Sequence, residues 1–150
     1  MRNMYDPVDI EDIKARLARM QPDQPPLWGS MTAPQAVAHC ARSLEWPVGD
    51  RVPPRMFWAG FIGRAIKSKV LGNDAPFRRN SPTSPDLIVK DDPDLNTERA
   101  RLVGLIDRFA AQGPDRCTRH PHSFFGPLTA EQWAILTYKH LDHHLRQFGV

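Results

Sequence analysis

Six histidines are the residues of this chain best suited to chemistry, and three of them crowd one short stretch, Tyr138-Lys139-His140-Leu141-Asp142-His143-His144. On an α-helix, His140 and His144 lie about 40° apart around the axis and one turn along it. Two imidazoles placed in this way can bind one metal ion. Trp133, Leu136, Thr137, His140, His144 and Gln147 share that face. Its first half is apolar, so the pair is expected to point inward or into a cleft. A buried imidazole needs a partner, which can be a metal or a hydrogen bond, and spacing alone leaves both open. His143, an i,i+3 neighbour of His140, leaves the pairing open as well. His39 stands midway along another expected helix. A third ligand from a facing helix is what a metal site in a bundle core requires.

Three neutral imidazoles leave a coordination position open, the mark of a catalytic metal site rather than a closed structural one. Water or a thiol could fill it, each made more acidic by the metal. Thr137 and Gln147 share the ligand face and are expected to hold the free ring nitrogens. Asp142 points about 160° away from His144 and is expected at the surface. Tyr138 and Lys139 are expected to meet solvent or a neighbouring subunit. Cys40, about 100° around its helix from His39, reads as a buried, inert thiol. Cys117, between Arg116 and Arg119 in a loop, reads as an exposed one. His120 and His122, in the loop His120-Pro121-His122-Ser123-Phe124-Phe125, could line a cleft rim or simply be solvated. No Ser-His-Asp order, glycine-rich phosphate loop or CxxC motif occurs. Triad hydrolysis, nucleotide binding and disulfide redox chemistry are thereby disfavoured.

The elements that must position these residues are helical. Ile10, Ile13, Leu17 and Met20 recur at helical spacing from about Asp9, which could cap the first helix. Thr32-Ala33-Pro34-Gln35 is a capping box opening a helix that carries His39 and should stop before Pro47. Residues 55–71 hold an apolar stripe of Trp58, Ile62, Ala65 and Ile66. A packing helix is the leading reading, and a basic-rimmed membrane-surface or dimer helix the other. From Gly72 to Pro93 no helical period appears, apart from a short extended piece expected at Leu87-Ile88-Val89. A loop of that length in a compact domain reads as a mobile cover over the open end. A fourth helix is expected from Leu95 to Ala111, stopped by Gly113-Pro114. The last opens at a second capping box, Thr129-Ala130-Glu131-Gln132, and runs to Gln147.

The whole, residues 1–150, is expected to be one all-α domain. With 41% hydrophobic and 25% charged residues the composition is globular, neither disordered nor membrane-spanning. The net charge of +3 is spread along the chain without a basic stripe, so no nucleic-acid partner is expected. Two cysteines cannot build a disulfide framework, which suits a reducing cytoplasm. The longest apolar run, residues 56–63, is too short to cross a bilayer.

The stretch Trp28-Gly29-Ser30-Met31-Thr32-Ala33-Pro34-Gln35-Ala36-Val37-Ala38-His39-Cys40 resembles the second helix of DinB-like proteins. The ending Tyr138-Lys139-His140-Leu141-Asp142-His143-His144-Leu145-Arg146-Gln147-Phe148-Gly149 resembles their last helix, and Phe124-Phe125-Gly126-Pro127-Leu128-Thr129 fits the lead-in to it. The resemblance is to an uncharacterised DinB-like family and implies a four-helix bundle with a long crossover. Residues 55–93 would be an extra helical and loop insertion in its middle. The resemblance also implies a metal triad of one histidine on the second helix and two on the last, here His39, His140 and His144. The ion would be divalent nickel, zinc or iron. Characterised relatives include transferases and isomerases that use small thiols, which implies a metal-dependent small-thiol transferase. A metal-dependent hydrolase, or a non-catalytic, stress-associated metal-binding bundle acting as a homodimer, are the alternatives.

Overall fold

The computed structural model describes residues 1–54 and 59–150. Helix α1, Pro7–Arg19, begins two residues earlier than the apolar period indicates, because the Asp6 carboxylate accepts the Val8 N–H at 2.9 Å. Asp9 is therefore not the cap. It lies buried and accepts the Asn3 N–H at 2.8 Å and the Arg2 guanidinium at 2.7 Å, tying the N-terminal segment to α1.

Helix α2, Ala33–Val48, starts at the expected capping box, with Thr32 and Gln35 each holding the other's backbone N–H. Pro47 does not stop it. Proline occupies the final turn, and the helix ends at Gly49, whose φ of +92° is the left-handed conformation that glycine adopts freely. Two more long helices follow the expected pattern. Helix α4, Leu95–Gln112, is capped by Asp94 and closed at Gly113, and helix α5, Ala130–Gln147, starts at the second capping box.

Helix α2 packs on α4 and α5, and α1 packs on the same two helices. The apolar stripes of these four helices meet in one hydrophobic core. Leu102, Ile106 and Phe109 of α4 meet Val37 and Leu44 of α2 in it, with Ile13 and Leu17 of α1 and Trp133 and Leu145 of α5. The class is all-α, and among the described residues the only β pairing is an isolated bridge between His122 and Gly126. None of the described helices is long and apolar enough to cross a membrane.

The middle segment departs most from expectation. Helix α3, Ala59–Leu71, packs on α5, but its isoleucines face outward: Ile62 is 62% exposed and Ile66 37%. Trp58, the first member of the expected stripe, lies outside the described residues. Among the described residues, docking rests instead on Gly63 and the helix end. A Cβ at Gly63 would come within 1.8 Å of the Phe124 carbonyl oxygen, so only glycine allows this approach. At the end of α3 the Lys139 ammonium donates to the carbonyls of Val70 at 2.6 Å and Asn73 at 2.9 Å.

The chain then crosses from α5 to α2. Leu87 belongs to a short 3₁₀ turn, Pro85–Leu87, rather than an extended piece, because its N–H closes on Ser84 O at 3.0 Å. Two side chains of α2 hold this crossover: Arg42 donates to Ile88 O at 2.9 Å and Gln35 to Asp91 O at 3.1 Å.

Candidate metal centre

His39 of α2 meets His140 and His144 of α5 in a nearly equilateral arrangement. The ring centroids are 4.9 Å apart for His39–His140, 4.8 Å for His39–His144 and 4.9 Å for His140–His144. One nitrogen from each ring lies within 4.8 Å of the other two. Of the two pairings open on α5, the fold brings His140 and His144 to His39. His143 turns aside to pack against Trp28 and Phe77, with centroids 5.6 and 6.1 Å away.

The outer hydrogen bonds determine which nitrogens converge. His39 Nδ1–H donates to Leu87 O at 3.0 Å, since a carbonyl can only accept. Gln147 Nε2 donates to Trp28 O at 2.7 Å, which fixes the amide orientation and turns Oε1 toward His144. His144 Nδ1–H therefore donates to that oxygen at 2.8 Å. Ser43 Oγ lies 2.8 Å from Cys40 O and 2.9 Å from His140 Nδ1; with its hydroxyl proton turned to Cys40 O it accepts from His140 Nδ1–H. His39 and His144 thus carry their proton on Nδ1, and with Ser43 so turned His140 does too, which leaves all three Nε2 atoms bare.

His39 Nε2 and His140 Nε2 face one another at 2.9 Å. Two lone pairs at that separation repel unless a cation lies between them. A proton is disfavoured, because burial foremost lowers the pKa of each ring, to about 3 for His144. A metal ion satisfies all three lone pairs at once, and neutral imidazole is the form a metal requires. The three histidines could therefore hold a metal ion. Their outer partners, a carbonyl, a hydroxyl and an amide, are neutral, and none of the ion pairs among the described residues involves the three rings.

Several expectations about the surroundings need correction. Asp142 is 5% exposed and bridges Arg16 at 2.8 Å and Arg146 at 2.7 Å, because α1 packs against the side of α5 opposite the triad. Tyr138 and Lys139 are buried, Lys139 at 6% exposure under the end of α3. Cys117 is also buried, and burial raises its thiol pKa despite the neighbouring arginines. Cys40 is buried as expected, with its thiol pKa pushed far up by desolvation.

Gln147 fills its expected role, whereas Thr137 makes no hydrogen bond to the three rings among the described residues. His120 is exposed. His122 packs between Trp46, Phe125 and Trp133, and its Nδ1 accepts the N–H groups of Phe124 at 3.0 Å and Phe125 at 3.2 Å. Its role is to shape the turn before α5. Sequence reasoning missed Ser43 and the Leu87 carbonyl. Ser43 had a readable signal, since it stands one turn beyond His39 on the same face. A backbone carbonyl supplied by a distant loop has none.

No curated protein and no solved structure matches the chain. A family model described as "Protein of unknown function (DUF1569)" matches residues 8–149. With nearly its whole length matched, helices and histidine cluster included, the chain belongs to the DUF1569 family.

Proposed function

We propose that this chain is a DinB-like metalloprotein that binds one divalent ion through His39, His140 and His144 and uses it in transfer reactions of small thiols. The observation carrying the metal reading is the convergence of one ring nitrogen from each of the three histidines, with His39 Nε2 and His140 Nε2 2.9 Å apart. A divalent ion held there supplies Lewis acidity to a sulfur or oxygen ligand. The chain's own part is to hold the rings neutral, orient them and keep water from the core behind them. The thiol reading gains support from the cysteines: both are buried with raised thiol pKa values, so the chain offers no thiolate of its own and the nucleophile must come from outside.

One observation favours the non-catalytic reading. The cavity reaching His144 is apolar, lined by Leu17, Val37, Cys40 and Leu141 among others, and its volume is about 10 Å³, room for no more than one water. Elemental analysis of protein purified without a histidine tag tests the ion. Close to one divalent ion per chain, reduced in each of His39→Ala, His140→Ala and His144→Ala, is the expected result; full occupancy in all three variants sinks the assignment. Activity is tested by offering the loaded protein several small thiols with a chromogenic electrophile, beside ester and amide substrates. Thiol-dependent turnover lost in His144→Ala supports transfer, and thiol-independent turnover supports hydrolysis. No turnover, with a centre closed to added azide, leaves the binding protein.

A further inference from the structure

We propose that Ser43 is a positioning residue that fixes the His140 tautomer and so prevents the histidine cluster from satisfying itself without metal. This rests on the metal-binding reading of the triad. Ser43 stands four residues after His39 on α2, as His144 stands four after His140 on α5, so Ser43 reaches the far side of the His140 ring.

Helical serines often bond back to a preceding carbonyl, and we place the hydroxyl proton of Ser43 on Cys40 O, 2.8 Å away. The oxygen then faces His140 Nδ1 at 2.9 Å with only lone pairs to offer. With the hydroxyl so turned, only the Nδ1–H form of His140 suits this neighbour. If the proton moved to Nε2, Ser43 would have to abandon Cys40 O and turn its own proton to His140 Nδ1.

The alternative state shows why this matters. With its proton on Nε2, His140 would donate to His39 Nε2, which already lies at hydrogen-bond distance. That bond would pair two of the three inward nitrogens within the protein and compete with any ion. Ser43 makes this state unfavourable and leaves His140 Nε2 available as a ligand. His39 and His144 are held in the same sense by Leu87 O and Gln147 Oε1; His39 Nε2 shares the 2.9 Å contact with His140, but the partner of its Nδ1 is a carbonyl, which can only accept and so keeps the proton there.

The test is ¹⁵N NMR of the imidazole nitrogens in metal-free protein near pH 7, with zinc affinity measured in parallel. Wild type is expected to show His140 protonated at Nδ1. Ser43→Ala should move that proton to Nε2 and weaken zinc binding about 10- to 100-fold, with no loss of metal-free thermal stability. Ser43→Thr, which keeps the hydroxyl, should restore both the tautomer and the affinity. A wild-type His140 carrying its proton on Nε2, or a Ser43→Ala protein that keeps Nδ1–H, overturns the proposal. Because the tautomer is read without metal, a wild type that binds no zinc refutes the metal reading and leaves the NMR result to decide the role of Ser43.

Discussion

Gln147 and Trp28 form a relay behind the triad: the Trp28 carbonyl holds the Gln147 amide, and that amide holds the Nδ1 proton of His144. The loop leaves no spare room, since a Cβ at Gly29, where φ is +78°, would come within 2.7 Å of Gln147 Nε2. Gln147→Ala should lower metal affinity about 10- to 100-fold while leaving the helical circular dichroism unchanged. Gly29→Ala should have an effect in the same direction. Affinity measured by competition with a chromogenic chelator checks both, and unchanged affinity in Gln147→Ala would show that the relay is dispensable.

Lys139 anchors the end of α3 from beneath, where desolvation lowers its pKa. Lys139→Met keeps the apolar stem but abandons the Val70 and Asn73 carbonyls, at a cost of about 1–3 kcal/mol if those groups stay buried. The loss should be local. Hydrogen exchange should accelerate in residues 62–73 and stay unchanged in α2 and α4. Uniform acceleration would indicate that α3 belongs to the main cooperative unit.

His122 sets a pH dependence. Burial lowers its pKa to about 4 in the folded chain, against an ordinary value of about 6.5 when unfolded. Between those values the unfolded chain binds the extra proton, so stability is complete above about pH 6.5, falls as the pH drops toward 4, and changes no further below that. The contribution is about 3 kcal/mol. His39, His140 and His144 shift in the same direction, so the informative quantity is a difference. His122→Asn retains an acceptor for the N–H groups of Phe124 and Phe125. Its urea-unfolding free energy, followed in metal-free protein from pH 7 to pH 4, should fall less steeply than that of wild type. Parallel curves would refute the assignment.

The crossover should not exchange uniformly. Residues 72–83 lack the side-chain anchors to α2 that hold Ile88 and Asp91. Their amides should exchange faster than those of α5, whereas the Leu87 amide, closed on Ser84 O, should be slower than its neighbours. Protection across 72–83 equal to that of α5 would mark the whole segment as fixed.

What was readable in the sequence divides along physical lines. Both capping boxes and the apolar periods of α1, α4 and α5 follow from local chemistry and helical spacing, and the structure bears out those local features; spacing left the His140–His143 and His140–His144 pairings both open, and it was the resemblance to DinB-like proteins that singled out His39, His140 and His144, which the fold brings together. The misreadings share a cause. Asp142 and Lys139 look like surface residues on an isolated α5, yet α1 covers one and the end of α3 covers the other. Wheel geometry shows where a side chain points, but not what packs there. Ile62 and Ile66 failed in the opposite sense: their period marks an apolar face, yet both are exposed, and among the described side chains of α3 the buried positions are Gly63 and Leu71.

His39 and His140 are 101 positions apart in the sequence. An ion shared between them would act as a removable cross-link closing a loop of about that length. In the chain-entropy treatment of cross-links, a closure of that size restricts the unfolded ensemble by about 4–5 kcal/mol. Where the ion stays bound after unfolding, metal loading would then limit how far the chain can expand, as well as what the folded centre binds. Removing the ion would open the loop between residues 39 and 140.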